Sequence, residues 1–347
     1  AVVDAVNQYG TCFGLPYELE IEAAEKVGAA VPGLEQVRFT NSGSEAVTVA
    51  SRISDVNAKL MTDPGARHAG KTIKKLALTG AFHGRTLATL PATGNREVQA
   101  GFEPPVRGFV RSTYNDLAAV TNLVERRNDI AAILVEPIQG EGGLTPATDE
   151  FMNGLRALCD KHDLLLMLDE VQTGNCRTGY FYAYQRYDWK PDVLTTAKGL
   201  GNGFPIGAVM AQGKAANLFQ PGNHGSTYGG TPLGCAVVLA VLETLEKEQL
   251  AKRAGELGDY LVKRFTKAFE AIQGVKAIRA RGLMMGIELD QPCGELVELA
   301  LHEGLLINVT AGQVVRLLPP LTLTDEEAEL LISKLSQLII NWLASRS

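Results

Sequence analysis

Two side chains in this sequence have the types and placement to do chemistry together. Asp169 closes the apolar run Leu164-Leu165-Leu166-Met167-Leu168. Lys198 follows a second strand-like segment, Asp192 to Thr196, within Thr195-Thr196-Ala197-Lys198-Gly199. Pyridoxal phosphate (PLP) chemistry needs such a pair. The lysine attaches to the cofactor aldehyde through a Schiff base, and the carboxylate keeps the pyridine nitrogen protonated so that the ring accepts electrons. An acid at the carboxyl end of a buried strand also stands where open α/β sheets place ligand sites. An aspartate after a strand and a lysine before a glycine are equally ordinary surface features, so the pair alone leaves both readings open.

Other segments add groups of matching chemistry. Asn41-Ser42-Gly43-Ser44-Glu45-Ala46 precedes a helical run, where backbone N–H groups and the positive dipole end can receive an anion, or where a serine simply caps the helix. Ala81-Phe82-His83-Gly84-Arg85-Thr86 follows a strand and offers an aromatic face for a planar ring and an arginine fork for a carboxylate; the plainer alternative is a core Phe and a surface Arg. Val135 to Gly143 puts Glu136 and Glu141 in a Gly/Pro-rich loop after a strand. His224-Gly225-Ser226-Thr227-Tyr228-Gly229-Gly230 supplies hydroxyls and amides before a helix, again suited to phosphate. Arg316 sits inside the apolar strand of Val314 to Leu318, where a charge requires an acid or an anionic substrate beside it. No histidine has a metal-ligand spacing, and no G-x-S-x-G elbow is present. His83 and His224 read as local structure and not as catalytic bases.

These residues need a scaffold, and the pattern supplies one. Short apolar runs at Lys75–Leu78, Ala131–Val135, Leu164–Leu168, Val193–Thr196 and Ile206–Met210 read as buried strands. Between them lie helical patterns such as Glu150–His162, with Phe151, Leu155, Leu158 and Cys159 at helical spacing. That alternation implies an α/β fold whose largely parallel sheet is covered on both faces. Pro232–Leu250 reads as one long helix. After about residue 255 strand-like pieces at Val275–Ile278, Leu283–Leu289, Leu305–Val309 and Val314–Leu318 alternate with helices and end in Asp325–Leu343, as in a smaller α+β domain. Thr324 caps that last helix, and its first turn is acidic. A helix around Tyr17–Val31 is expected to belong partly to the small domain. The domains expected are an N-terminal segment 1–35, a large domain 36–252 and a small domain 253–347.

Composition narrows the function classes. The 347 residues are 46% hydrophobic and 21% charged, enough for a sizeable core and about two domains. A formal net charge of −6 gives no footprint for nucleic acid. The apolar runs fall far short of the roughly 20 residues of a bilayer span. Five scattered cysteines fit neither a disulfide framework nor a zinc site, and no signal peptide opens the chain, so a cytoplasmic protein is expected.

Taken in order, Gly80-Ala81-Phe82-His83-Gly84-Arg85-Thr86, Val135 to Gly143, Leu168 to Gln172, Thr196-Ala197-Lys198 and His224 to Gly230 resemble the class III aminotransferases, a subgroup of the fold-type I PLP enzymes, along the whole chain. Leu305-Leu306-Ile307-Asn308 and Val315 to Pro320 resemble the branch acting on acetylornithine and succinylornithine, with the ornithine and 4-aminobutyrate branches next. The resemblance implies a large domain with a mainly parallel seven-stranded sheet between helices, plus the smaller C-terminal α+β domain. It implies PLP on Lys198, which also transfers the proton, with Asp169 on the pyridinium. Gln172 would bond the phenolic oxygen, Phe82 would stack on the ring, and Gly43 and Ser44 would hold the phosphate. Thr227, with Ser226 beside it, would reach the neighbouring subunit's phosphate in a homodimer with shared sites. Arg85 would bind the carboxylate of an ω-amino donor. Arg316 would pair with Glu141 and release it to receive the α-carboxylate of glutamate or 2-oxoglutarate. The implied reaction is transamination of the ω-amine of N-acetylornithine with 2-oxoglutarate, within arginine biosynthesis. Ornithine, succinylornithine and 4-aminobutyrate are the alternative donors, and a non-catalytic PLP-binding protein is the remote alternative.

Three departures from the family pattern stand out. Asn175 and Cys176 occupy positions where the family usually has an apolar residue and a glycine, and Thr231 replaces the customary Asn before Pro232. The chain also begins at Ala1 in what reads as the helix before Tyr9-Gly10, so the family's N-terminal part is expected to be truncated, including an aromatic that lines the substrate pocket. Thr11-Cys12-Phe13 and Val31-Pro32-Gly33 resemble other members of the class.

Overall fold

A computed structural model describes residues 1–8, 17–60 and 71–346. The segments Tyr9-Gly10 and Thr11-Cys12-Phe13 lie outside the described residues. The strands, in chain order, are β1 (Gln36–Thr40), β2 (Lys74–Leu78), β3 (Phe109–Ser112), β4 (Ile130–Val135), β5 (Ile138–Gln139), β6 (Thr145–Pro146), β7 (Leu165–Asp169), β8 (Val193–Thr196), β9 (Gly207–Ala211), β10 (Val275–Arg281), β11 (Met284–Leu289), β12 (Asn308–Thr310) and β13 (Val314–Leu317). Seven of them form one sheet in the order β1-β9-β8-β7-β4-β2-β3. Its central pairs are parallel, and only β9 runs against the rest, antiparallel to both β8 and β1.

The continuous apolar runs have a direct cause. Along β4, Ile130, Ile133 and Val135 join the core on one face of the sheet, while Ala132 and Leu134 join the core on the other. Leu166 and Leu168 of β7 divide from Leu165 and Met167 in the same way. A strand covered on both faces has no position where a polar residue reaches water. Helix Asp149–His162 covers one face with Phe151, Met152, Leu155, Leu158 and Cys159. Thr148 starts it, its hydroxyl accepting from the Phe151 N–H at 3.1 Å, and Asp163 ends it in the left-handed conformation at φ 55°.

The five large-sheet strands expected from the sequence are present within one residue of their expected bounds, and β1 and β3 complete the seven. The expected single helix Pro232–Leu250 needs correction. It ends at Lys247, the chain turns at Glu248 and Gln249 (φ 51°), and a second helix runs Leu250–Phe269. Helix Glu18–Ala29, the second described helix after Val2–Gln8, and the turn after it place Ala23, Val27, Val31 and Leu34 in the core of the large sheet.

A second sheet of order β10-β11-β13-β12 is antiparallel throughout and has its own apolar cluster, drawn from Ala254 to Leu343. The strand expected at Leu305–Val309 is the shorter β12, Asn308–Thr310, because Leu305 to Ile307 lead into it from helix Leu296–His302 without pairing. Helix Asp325–Ala344 closes this unit with a reciprocal cap. The Thr324 hydroxyl accepts from the Glu327 N–H, and the Glu327 carboxylate accepts from the Thr324 N–H. Among the described residues no helix is long and apolar enough to cross a membrane.

Candidate active site

Strand direction decides where the functional side chains meet. β1, β2, β4, β7 and β8 all point the same way, so the residues that leave their carboxyl ends gather at one edge of the sheet. Those exits are Asn41 to Ser44, Phe82 to Gly84, Glu136, Asp169 with Val171 and Gln172, and Ala197-Lys198. Because β9 is antiparallel, the segment Phe204-Pro205-Ile206 that enters it arrives at the same edge. Together these residues line a cavity of about 380 Å³, into which Glu141 also projects from the loop after β5.

Asp169 is buried and fully engaged. His83 Nδ1 lies 2.7 Å from its Oδ2 and must be the donor, since a carboxylate only accepts. The Val171 N–H donates to Oδ1 at 3.1 Å and the Thr195 hydroxyl at 3.3 Å. His83 is anchored in turn by its backbone N–H, which donates to the Thr93 hydroxyl at 3.0 Å. The reading of His83 as local structure is therefore too weak, because its imidazole holds the site's central carboxylate. His224 does remain local, with its Nδ1 2.9 Å from Arg52 Nη1 and its carbonyl accepting from Arg38.

Glu136, the first residue beyond β4, ties two loops together. It accepts from the Phe82 N–H at 2.8 Å and the Gly140 N–H at 3.3 Å. Burial pushes its pKa up to about 7; the nearby His83 opposes this, while the Asp169 charge adds to it. Glu170 is pushed up to about 7 by burial as well, but it serves the scaffold, accepting from the Thr173 hydroxyl and from the Ala183 and Tyr184 N–H groups.

At the start of helix Gly43–Leu60, the Ser42 hydroxyl accepts from the Glu45 N–H at 3.2 Å, and the Glu45 carboxylate accepts from the Asn41 N–H at 2.6 Å. The first N–H groups of any helix lack intrahelical partners, and here they open toward the cavity. Glycine keeps this end clear. A Cβ on Gly43 would meet Val171 at 2.8 Å, and one on Gly84 (φ +118°) would meet the Ser44 hydroxyl at 2.3 Å.

Arg316, on β13, reaches across to the Glu141 carboxylate at 2.5 Å and donates to Asn308 Oδ1 at 2.9 Å. The burial of a strand arginine thus has its acidic partner, as its apolar setting required. The Thr310 hydroxyl accepts nothing from this pair but donates to the Glu141 carbonyl at 2.6 Å, fixing the loop.

Of the sequence-derived site residues, Gly43, Ser44, Phe82, Glu141, Asp169, Gln172 and Lys198 line the cavity. Arg85 is exposed, with its guanidinium 5.8 Å from the centre of the Phe82 ring. Ser226 accepts at 2.9 Å from the Nδ2 of Asn41, which lines the cavity. Thr227 is exposed and outside the lining. Sequence reasoning read His83 as local structure and Glu136 as a loop acid for an arginine or a polar substrate atom; the structure has Glu136 accepting from backbone N–H groups instead. The signal for Glu136 was position, since it directly follows a central parallel strand; His83, five residues beyond β2, carried no such mark.

The arrangement fits PLP. A lysine amine and a buried carboxylate share one cavity, an aromatic face borders it, and glycine-opened helix N–H groups stand at one side for a phosphate. The Gln172 Oε1 is buried without a partner in the cavity wall, and so is the His83 Nε2.

Residues 1–339 match the family model of the class-III aminotransferases. The chain belongs to that family. It is 46% identical over 317 residues to the acetylornithine aminotransferase of Nitrosomonas europaea, covering 91% of this chain and 79% of the relative. It is 44% identical over 331 residues to acetylornithine aminotransferase 1 of Bordetella bronchiseptica, covering 95% and 82%. Among solved structures it resembles the N-acetylornithine aminotransferase of Stenotrophomonas maltophilia, with TM-score 0.83 and 30% identity over 99% of this chain and 85% of that one. The ornithine aminotransferase of Toxoplasma gondii ME49 is also similar, with TM-score 0.92 and 29% identity over 99% and 83%. The chain is thus a PLP-dependent transaminase of the fold-type I architecture, taking a small-molecule amino donor and a keto acid.

Proposed function

We propose that this aminotransferase moves the ω-amine of N-acetylornithine to 2-oxoglutarate, giving N-acetylglutamate semialdehyde and glutamate. The observation that carries the reading is the Arg316–Glu141 pair beside the cavity that holds Lys198 and Asp169. Glutamate and 2-oxoglutarate bring an α-carboxylate to the reacting carbon, whereas an ω-amine donor does not. An arginine that is neutralised by Glu141 in one half-reaction and released in the other serves both. The relatives named for acetylornithine, at 46% and 44% identity, support the choice of donor.

When bound, PLP supplies an aldehyde for the amine and a ring that accepts the electron pair of the reacting carbon. Each residue of the chain then has a role. Lys198 Nζ holds the cofactor at rest and moves the proton from the amine-bearing carbon. Asp169, held by His83 and Thr195, would keep a proton on the ring nitrogen, and Gln172 would bond the phenolic oxygen. Phe82 would stack on the ring, Gly43 and Ser44 would offer N–H groups to the phosphate, and Arg85 would receive the donor's carboxylate. Ser226 and Thr227 serve a neighbouring copy. The exposure of Thr227, away from its own chain's cavity, supports a homodimer with shared sites.

We divide the chain into a large domain of residues 36–252, which carries the cofactor, and a small domain of residues 253–347, which carries Arg316. The separate apolar clusters support that division. A cytoplasmic setting is supported by the four described free cysteines, all buried. The test is kcat/KM for N-acetylornithine, succinylornithine, ornithine and 4-aminobutyrate, each with 2-oxoglutarate. N-acetylornithine should lead by at least about tenfold, and a lead by ornithine or 4-aminobutyrate would reassign the donor.

A further inference from the structure

The departure at Asn175 lies directly behind the catalytic lysine. Asn175 is 3% exposed and sits in the left-handed conformation at φ 56°. Its Nδ2 donates to the Thr196 hydroxyl at 3.1 Å and to the Ala197 carbonyl at 3.2 Å. The orientation of the amide is fixed by chemistry, because a carbonyl only accepts and the nitrogen must face it. The Oδ1 is buried without a partner, and the residue lines a second cavity of about 520 Å³ that shares Val171, Gln172 and Lys198 with the first.

The carbonyl that Asn175 holds belongs to the peptide joining Ala197 to Lys198. That peptide is an unusual one. Ala197 is extended past the normal strand range (φ −168°, ψ −140°), and Lys198 itself is left-handed at φ 43°. A non-glycine residue in that region costs about 1–2 kcal/mol and persists only where its surroundings over-determine it. Two donors supply the constraint here. The Leu200 N–H reaches the Ala197 carbonyl from the downstream turn at 2.9 Å, and Asn175 reaches it from behind. Gly199 leaves room for the contact, since a Cβ there would stand 2.9 Å from that of Asn175. Asparagine also suits its own backbone, being among the few residues that enter the left-handed region at low cost. An apolar residue, which the family resemblance leads one to expect at this position, would have no donor to offer.

We propose that Asn175 is a positioning residue for Lys198, fixing the bend that aims the lysine amine into the cofactor cavity. The inference rests on the reading of Lys198 as the PLP-bearing lysine. It predicts how fast the amine captures the cofactor. In that step Nζ bonds the aldehyde carbon of PLP and one water leaves, with no change of oxidation state. Two variants separate the clamp from backbone strain. Asn175→Gly keeps the left-handed backbone without the amide, and Asn175→Asp keeps the shape while replacing the donor by an acceptor.

The experiment mixes cofactor-free enzyme with PLP and follows the visible band, with borohydride reduction and peptide mapping to locate the attachment. Both variants should fold, with melting temperatures within a few degrees of wild type. Capture should slow by about tenfold, the scale expected when a reacting group is misplaced by a fraction of an ångström. The pH midpoint of the visible band should move by at least about half a unit, because a loosened bend changes the surroundings of the amine. Thr196→Val removes one acceptor and leaves the bond to Ala197, so it should slow capture only about twofold. Wild-type capture rates and midpoints in both Asn175 variants would overturn the proposal; if one variant fails to fold, the other decides. Attachment of PLP in wild type at a lysine other than Lys198 would instead overturn the underlying site assignment, and this inference with it.

Discussion

Glu136→Gln should make the cofactor-free protein more stable at neutral and alkaline pH, with no comparable gain in acid. The folded protein holds this carboxyl with a pKa near 7, against 4.5 for the unfolded chain, because burial disfavours its charge. The sign follows from proton linkage. Between pH 4.5 and 7 the folded state binds more protons than the unfolded state, so wild-type stability falls as pH rises through that window, and the whole loss is in place above pH 7. A shift of that size corresponds to about 3 kcal/mol at about 1.4 kcal/mol per pH unit, an order-of-magnitude figure. Glutamine copies the protonated acid in shape and never acquires the charge; its one oxygen can still accept from the Phe82 N–H, while its NH2 replaces the oxygen that accepts from the Gly140 N–H, a loss that is the same at every pH and cancels from the pH dependence. Urea unfolding of both proteins at pH 5 and pH 8 should therefore show the variant's advantage growing by about 2–3 kcal/mol across the interval. Glu170 titrates in the same window but is common to both proteins, so it cancels from the difference. An advantage that stays flat with pH, or that shrinks toward pH 8, would refute the reasoning.

The remaining expectations concern turnover. His83→Leu removes the partner 2.7 Å from the buried Asp169 carboxylate. A charge-assisted bond of about 1.5–3 kcal/mol corresponds to a fall in kcat of about 10- to 100-fold with smaller changes in KM; an unchanged kcat would reduce His83 to scaffold. Arg316→Lys keeps the charge but loses the two-pronged fork that also reaches Asn308, so KM for 2-oxoglutarate should rise about tenfold while the half-reaction with the donor is nearly unaffected. Glu141→Ala frees Arg316 and should lower KM for 2-oxoglutarate by about two- to fivefold, a modest effect because Glu141 is 39% exposed and its pairing is screened by water. A rise in that KM would contradict the exchange of Glu141 for the substrate carboxylate.

The legibility of the sequence followed burial. β4 and β7 lie in the middle of the sheet with both faces covered, and their unbroken apolar runs mark them plainly. β1 and β3 occupy the two edges, and their polar residues (exposed Gln36 and Arg38 in one, half-buried Arg111 in the other) break the apolar pattern that a central strand shows. The helix from Pro232 looked continuous through Leu250 because helical spacing persists across the junction, whereas the turn depends on the backbone of Gln249, which no pattern of side-chain polarity encodes. Asp169 and Lys198 were readable because each follows a recognisable strand. The His83–Asp169 contact joins residues 86 apart in sequence, and the Arg316–Glu141 pair joins residues 175 apart. For Arg316 the cost of an unpaired charge in a strand announced a partner and the family resemblance named it. A histidine carries no such cost, so nothing local pointed from His83 to Asp169.

The central claim is that Lys198-bound cofactor accepts the ω-amine of N-acetylornithine and passes it to a keto acid. Its most direct test is the visible spectrum of the PLP-loaded enzyme as N-acetylornithine is added alone, followed by 2-oxoglutarate. The band should be lost with the donor and restored by the keto acid, and Lys198→Ala should show neither change. A band that persists with N-acetylornithine yet bleaches with ornithine or 4-aminobutyrate would contradict the assigned donor, and one that responds to no amine would contradict transamination by this chain.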